Sequence, residues 1–369
     1  MPKPRARDLG LEFPGEPGQC NAITDVDGVA VGMTTLIEGE GALVQGQGPV
    51  RTGVTAILPR PDTGRPTPVW AGFFALNGNG EMTGTHWIED AGYFLGPVCI
   101  TNTHSVGIVH HAVTGWMIQR YREAFESDHL WAMPVVAETY DGTLNDINGQ
   151  HVRAEHVAAA LDAALSGPVP EGNVGGGTGM IAYEFKAGTG TASRRVRIGG
   201  EVYTVGVLVQ ANHGVRPWLS ILGVPVGRYL TQDRLRQRET GSIVAILATD
   251  APLSALSLRH LARRAALGVG RGGTPGGNGS GDLFLAFSTA NRREMQEFTG
   301  PLERFEFING EYIDPLYLAA VEAVEESVIN AMVAAEDMTT LKPAGRVCRA
   351  IDPDALAEVM HRHGRLRGA

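Results

Sequence analysis

Hydrophobic and polar positions along the chain fall into two kinds of run. Short alternating or unbroken apolar runs, rich in Val, Ile and Phe and bounded by Gly, Asn or Pro, predict strands at 53–58, 69–76, 98–101, 134–138, 203–210 and 283–288. The run Ser242-Ile-Val-Ala-Ile-Leu-Ala-Thr has no polar interruption and predicts a strand covered on both faces. Apolar residues at helical spacing predict helices at 106–122, 154–165, 256–269, 315–336 and 353–361. On the longest of these, Leu318, Val321, Val324, Val328, Met332 and Ala335 form one stripe. The first 50 residues read as extended and turn-rich, and Gly175-Gly-Gly-Thr-Gly reads as a glycine loop feeding a strand. Strands come in groups and so do helices. That favours an α+β protein, or a layered αββα arrangement, over an alternating parallel sheet. No internal repeat or clean linker breaks the chain, so 1–369 is expected to be one domain.

Composition raises one question. Glycine fills 49 of 369 positions and proline 21, yet 43% of the residues are hydrophobic, so a large core can form. No Gly-X-Y period is present, which leaves the glycine excess inside a folded protein. There it serves positive φ or close backbone approach. The net charge of −9 argues against a nucleic-acid or anionic-membrane partner. No apolar run is long enough to span a bilayer. The charged start, Met1-Pro-Lys-Pro-Arg-Ala-Arg-Asp, has no apolar segment behind it, so the expected location is the cytoplasm. Cys20, Cys99 and Cys348 are odd in number and far apart, which points away from a disulfide framework.

The usual chemical motifs fit poorly. Gly175–Gly179 lacks the Lys-Ser/Thr ending of a phosphate loop, and the glycines of 268–279 follow a helix where a dinucleotide fingerprint follows a strand. Both loops can equally be tight backbone connections. The 11 histidines show no metal-binding spacing, so no metal or cofactor is expected, although His104 and His213 lie at polar strand ends and could line a site. No G-x-S-x-G elbow is present. One junction stands out: the polar stretch 233–241 passes without transition into the buried run at Gly241-Ser242. A serine there can be a plain strand terminus. It also suits a serine exposed as a new N-terminus, whose α-amine, with a pKa of about 7.7–8.0, serves as base for its own hydroxyl. The preceding glycine would let the scissile peptide take a strained conformation.

At this junction the chain resembles the self-processing β-peptidyl aminopeptidases, also called the L-aminopeptidase/D-Ala-esterase/amidase family. Ten blocks in order carry the resemblance: Arg5-Ala-Arg-Asp-Leu-Gly, Asn21-Ala-Ile-Thr-Asp-Val, Leu76-Asn-Gly-Asn-Gly-Glu-Met-Thr-Gly, Thr101-Asn-Thr-His-Ser-Val-Gly, Glu138-Thr-Tyr-Asp-Gly, Val174-Gly-Gly-Gly-Thr-Gly-Met, Val209-Gln-Ala-Asn-His-Gly, Gly241-Ser-Ile-Val, Ala248-Thr-Asp-Ala-Pro-Leu and Gly277-Asn-Gly-Ser-Gly-Asp. The resemblance implies a four-layer αββα sandwich, similar to N-terminal nucleophile hydrolases but differently connected. It implies self-cleavage at Gly241–Ser242 into 1–241 and 242–369, with Ser242 as nucleophile. It further implies release of N-terminal residues from short peptides, amides and esters, including β- and D-amino acid derivatives. No metal is implied, and the expected assembly is a homo-oligomer, a tetramer of cleaved pairs.

Residue by residue, Asn212 matches the oxyanion-hole asparagine and Tyr140 a tyrosine that assists it, while Ser280 and Asp282 match a serine and an acidic residue beside the nucleophile. Glu138 is expected to bind the substrate ammonium, because an aminopeptidase must pair that charge; a solvated loop carboxylate is the plainer reading. Two positions depart from the family pattern: Met33 stands where relatives often carry histidine, and Asp282 where some carry glutamate. Two other functions remain open at this level: a self-processing acyltransferase of the ornithine acetyltransferase type, and a non-catalytic binding protein for small amino compounds.

Overall fold

The computed structural model describes residues 3–61, 63–236, 238–295 and 298–366. The ends of the expected domain, 1–2 and 367–369, lie outside them. Among the described residues there are fourteen strands: β1 Ala30–Glu38, β2 Val50–Leu58, β3 Val69–Ala75, β4 Tyr93–Phe94, β5 Val98–Asn102, β6 Val135–Thr139, β7 Ile181–Ala182, β8 Phe185–Lys186, β9 Thr189–Ile198, β10 Glu201–Asn212, β11 Ser242–Thr249, β12 Asp282–Ser288, β13 Met338–Leu341 and β14 Ala344–Cys348. The helices are α1 Thr85–Ala91, α2 Val106–Arg120, α3 Arg122–Ser127, α4 Ala154–Asp162, α5 Ala255–Arg271, α6 Asp314–Val333 and α7 Pro353–Arg362. One sheet has the order β1-β2-β5-β6 and the larger has the order β4-β3-β12-β11-β10-β9.

Three apolar layers hold these elements together. Ile57, Ile100, Val135 and Ala137 of the small sheet meet Leu208, Val244, Ile246 and Leu285 of the large one, so the two sheets pack face to face. On the outer face of the large sheet, Ile243, Ala245 and Leu247 pack with Leu258 and Leu261 of α5 and Ala320, Val324 and Val328 of α6. On the outer face of the small sheet, Val54 and Val136 pack with Val109 and Val113 of α2 and Val157 and Leu161 of α4. The order of layers is therefore helix, sheet, sheet, helix, as the sequence predicts.

β11 explains its own composition. It runs antiparallel to β10 and parallel to β12 in the centre of the sheet, and all eight residues are buried. Its even-numbered side chains face the other sheet and its odd-numbered ones the helices, so both faces demand apolar residues. α6 starts with Pro315 in its first turn, where the missing N–H is harmless. It lies so close to β9 that a Cβ on Gly190 would stand 2.0 Å from the Ser327 carbonyl oxygen. Part of the glycine excess is thus spent on helix-to-sheet contact.

The structure corrects the sequence reading in three places. Leu318 is 52% exposed, because burial of α6 begins in earnest only at Ala319, and from there the helix is buried around almost its whole circumference. Gly175–Gly179 forms a 3-10 turn followed by a tight hairpin, β7 and β8, in place of one strand. β9 has no counterpart among the predicted strands, and β1 lies in the stretch read only as extended. β9 carries Ser193, Arg194, Arg195 and Arg197 and so hides its alternation, yet Arg194 is buried. α6 supplies its counter-charge: Arg194 Nη2 donates to Glu326 Oε2 at 2.6 Å, and Arg7 Nε donates to Glu326 Oε1 at 2.8 Å.

Candidate active site

Four strands deliver the expected site residues to one end of the sandwich. β10 ends at Asn212, β6 ends just past Glu138, and β11 and β12 begin at Ser242 and Asp282. The register does the positioning. Asn212 is the direct ladder partner of Ser242, so the two side chains share a face of the sheet. Ile243 is the partner of Asp282.

Ser242 is buried, and its Oγ accepts the Gly281 backbone N–H at 3.0 Å. Asn212 is fixed on both sides: Oδ1 accepts the Ile181 N–H at 2.9 Å, and Nδ2 donates to the Tyr140 carbonyl at 2.9 Å. A carboxamide has two N–H donors, so one remains for an oxyanion. Gly241 is pressed against this pair. A Cβ there would stand 1.6 Å from the Asn212 carbonyl oxygen, so no other residue fits without moving the backbone.

Asp282 anchors the far side of the nucleophile. Its Oδ1 accepts from Ser280 Oγ at 2.5 Å and from the Ile243 N–H at 3.3 Å, and its Oδ2 accepts from Asn77 Nδ2 at 3.0 Å. Burial raises its pKa, against hydrogen bonds from Ser280 and Asn77 that lower it. Ser280 is thus turned toward Asp282, and the donor on the nucleophile is the intervening Gly281 amide. Tyr140 meets Asn212 through its carbonyl; its phenol curls over Gly142, where a Cβ would stand 2.3 Å from the hydroxyl oxygen.

Glu138 is 4% exposed, which removes the reading of it as a solvated loop carboxylate. Its Oε1 accepts the Glu81 N–H at 2.9 Å, and Thr103 Oγ1 donates to Oε2. Burial pushes its pKa up, while the hydrogen bonds from Thr103 and the Glu81 amide pull it down. A Cβ on Gly80 would touch Glu138 Oε1 and the Gly281 Cα at 3.3 Å each, so the carboxylate and the loop that contacts Ser242 flank the same small space. The neighbouring His104 also pulls the Glu138 pKa down, by less than the hydrogen bonds do. A buried, ionisable carboxylate bordering the same space as the Gly281 loop is suited to an incoming ammonium group.

Sequence reasoning missed the residues that hold these groups. Asn77 sits in the quoted Leu76-Asn-Gly-Asn-Gly block and Thr103 in Thr101-Asn-Thr-His, so both carried a signal without an assigned role. His213 lies beside the site but is an unpromising acid or base. Burial pushes its pKa down to about 3, and its ring packs edge-on against Tyr183. Among the described residues no group of three or more His, Cys, Asp and Glu side chains could hold a metal ion, and no helix is long and apolar enough to cross a membrane.

Comparison with known proteins gives the family. The model of peptidase family S58 matches residues 21–345. Beta-peptidyl aminopeptidase BapA of Sphingosinicella microcystinivorans is 50% identical over 99% of this chain and 94% of its own. The L-aminopeptidase D-Ala-esterase/amidase of Ochrobactrum anthropi, described as a prototype for the serine aminopeptidases and a new variant among the Ntn hydrolase fold, superposes with a TM-score of 0.95. It is 57% identical, with 99% of this chain and all of that one covered. A Burkholderia sp. beta-aminopeptidase superposes with a TM-score of 0.88 at 46% identity, covering 98% of this chain and 99% of its own.

Proposed function

This chain belongs to peptidase family S58, and on that premise we propose that it is a serine aminopeptidase that cuts itself between Gly241 and Ser242. The cut makes Ser242 the N-terminus of the smaller piece, 242–369. The observation that carries the reading is the end of the β10–β11 ladder, where Ser242 lies opposite Asn212 and beneath the Gly281 amide, with the buried carboxylate of Glu138 across Gly80 from the Gly281 loop.

The reaction follows from the groups present. The substrate ammonium pairs with Glu138, which orients the first residue with its carbonyl over Ser242. The Ser242 hydroxyl adds to that carbonyl carbon while the serine's own α-amine takes the hydroxyl proton. The free N–H of the Asn212 amide stabilises the oxyanion, with Tyr140 supporting Asn212 through its carbonyl. The C–N bond breaks, the leaving amine takes the proton, and water hydrolyses the ester to free Ser242. Asp282 and Ser280 hold the start of β12 and the residue after the nucleophile in place. The substrates are short peptides, amides and esters. The relatives' names extend the proposal to β-residues and D-alanine derivatives.

Intact mass spectrometry of the purified protein tests the reading. Two species are expected, and the smaller should begin Ser-Ile-Val-Ala-Ile. A single full-length chain that still hydrolyses alanine p-nitroanilide would overturn it, and Ser242→Ala should abolish both cleavage and hydrolysis. We further propose an assembly of several cleaved pairs. It is supported by exposed apolar residues at Leu302, Phe307, Tyr312 and Leu318 and is measurable by light scattering.

A further inference from the structure

Residues 238–241, just before the proposed cut, have the composition of a loose loop, and Arg238 and Thr240 are exposed. One side chain in this stretch is nevertheless tied down. Oε1 of Glu239 accepts the Gly214 N–H at 2.7 Å and the Thr274 hydroxyl at 3.3 Å, and Oε2 accepts the Gly277 N–H at 3.0 Å. The donors lie on two separate loops, and both loops carry site residues. Gly214 follows Asn212 and His213. The carbonyl of Gly277 accepts the Ser280 N–H at 2.9 Å and Asn77 Nδ2 at 3.0 Å, and Asn77 holds Asp282. The fit is close, because a Cβ on Gly277 would stand 2.3 Å from Glu239 Oε2.

We infer that Glu239 is a positioning residue for self-cleavage: its carboxylate fixes the upstream side of the Gly241–Ser242 peptide against the loops that carry the oxyanion and acidic groups. This rests on the reading that the chain cuts itself there. The downstream side is already fixed, because Ser242 is locked into the ladder with Asn212. The scissile peptide is therefore suspended between two fixed points with only Thr240 and Gly241 between them. In the step it prepares, the Ser242 oxygen bonds to the Gly241 carbonyl carbon and the C–N bond breaks. The hydroxyl proton ends on the released α-amine, and water then hydrolyses the ester to leave a carboxylate on Gly241. An intramolecular attack of this kind depends steeply on how well the two reacting atoms are held. A carboxylate is the right clamp, since all three partners donate to it and an ionised acceptor binds N–H groups more strongly than a neutral one.

The test is a time course of freshly translated protein by intact mass. Glu239→Ala should lengthen the half-time of conversion roughly tenfold or more, because displacement of reacting atoms by an ångström can cost that much or more. Glu239→Gln should fall between the two, since it keeps one acceptor and the shape. Thr274→Val, which removes one of three donors, should slow conversion measurably and keeps the question decidable if Glu239→Ala folds poorly. Fold effects are read separately in the uncleavable Ser242→Ala background, where adding Glu239→Ala should shift the thermal midpoint by no more than about 2 °C. If the unaltered chain is not cut at Gly241–Ser242, the underlying reading fails. If it is cut and the Glu239 and Thr274 variants are cut at the same rate, the clamp is overturned while the reading stands. A large loss of midpoint in the uncleavable background would also overturn it, as a purely structural role.

Discussion

At the scale of single residues, charge and donor count decide what each group can do. Asn212 has one amide proton to spare, so Asn212→Ala should lower kcat by about 10²–10³, the loss of one oxyanion donor, with a smaller change in KM. Equal loss in both constants would point instead to misplaced substrate. Glu138 carries the pH dependence. Burial holds its pKa above the ordinary glutamate value of about 4.3, so the site loses its ammonium partner at a higher pH than a surface carboxylate would allow. The acid limb of kcat/KM should lie correspondingly high. Glu138→Gln should raise KM by roughly ten- to a hundredfold, the worth of a charged hydrogen bond, and should flatten that limb. The sign for stability is opposite. A carboxylate whose pKa is raised by folding destabilises the fold as pH rises through the interval between its unfolded and folded values. Glu138→Gln should therefore be the more stable protein at neutral pH, with the gap closing in acid, as thermal melts at several pH values would show. Little of this environment was legible in advance. Ser242 announced itself by an abrupt change from polar to apolar positions. That Asn212 stands opposite it depends on the register of a ladder whose two strands are separated by a long loop, and local patterning does not encode that.

Elements were legible where their environment is uniform along their length. β11 and β12 are apolar on both faces and could be read directly, as could the amphipathic α5, with Arg259, Arg263 and Arg264 away from its buried Leu258, Leu261 and Ala265. β9 was not, because the ion pair that makes Arg194 tolerable in a sheet is supplied from α6, 132 positions away. Such elements are specified by contacts the sequence does not place side by side. The centre of β11 should be correspondingly sensitive to volume. Ile246 is wholly buried between the two sheets, and Ile246→Ala should cost about 2–5 kcal/mol in chemical denaturation. The pH profile of whatever folds should stay unchanged, because the residue is remote from the titrating groups; a shifted profile would mean that the strand also tunes the site.

For the whole molecule, the charged cluster around Glu326 links regions on opposite sides of the proposed cut. Burial disfavours ionisation of Glu326, but Arg7, Arg194 and the Asn21 amide outweigh it and hold its carboxyl below the usual range. Its stabilisation is thus present above the ordinary carboxylate pKa and is lost as pH falls through the lowered value. Glu326→Gln leaves Arg194 buried without its main counter-charge and should cost about 3–5 kcal/mol by urea titration at neutral pH, with the difference shrinking in acid. The strand order of the large sheet has a further consequence. β11 and β12 belong to 242–369, yet they lie between β3 and β10, which belong to 1–241, so each piece contributes what the other needs to complete the sheet. Before the cut, folding is a unimolecular search that any diluted chain can repeat. After it, recovery from denaturation becomes a bimolecular encounter between two fragments, each with exposed strand edges that can pair with the wrong partner. Maturation should therefore make the shape a memory of the intact chain. Ser242→Ala should regain its fold after urea at a rate independent of dilution, whereas the cleaved enzyme should recover poorly and progressively less as it is diluted.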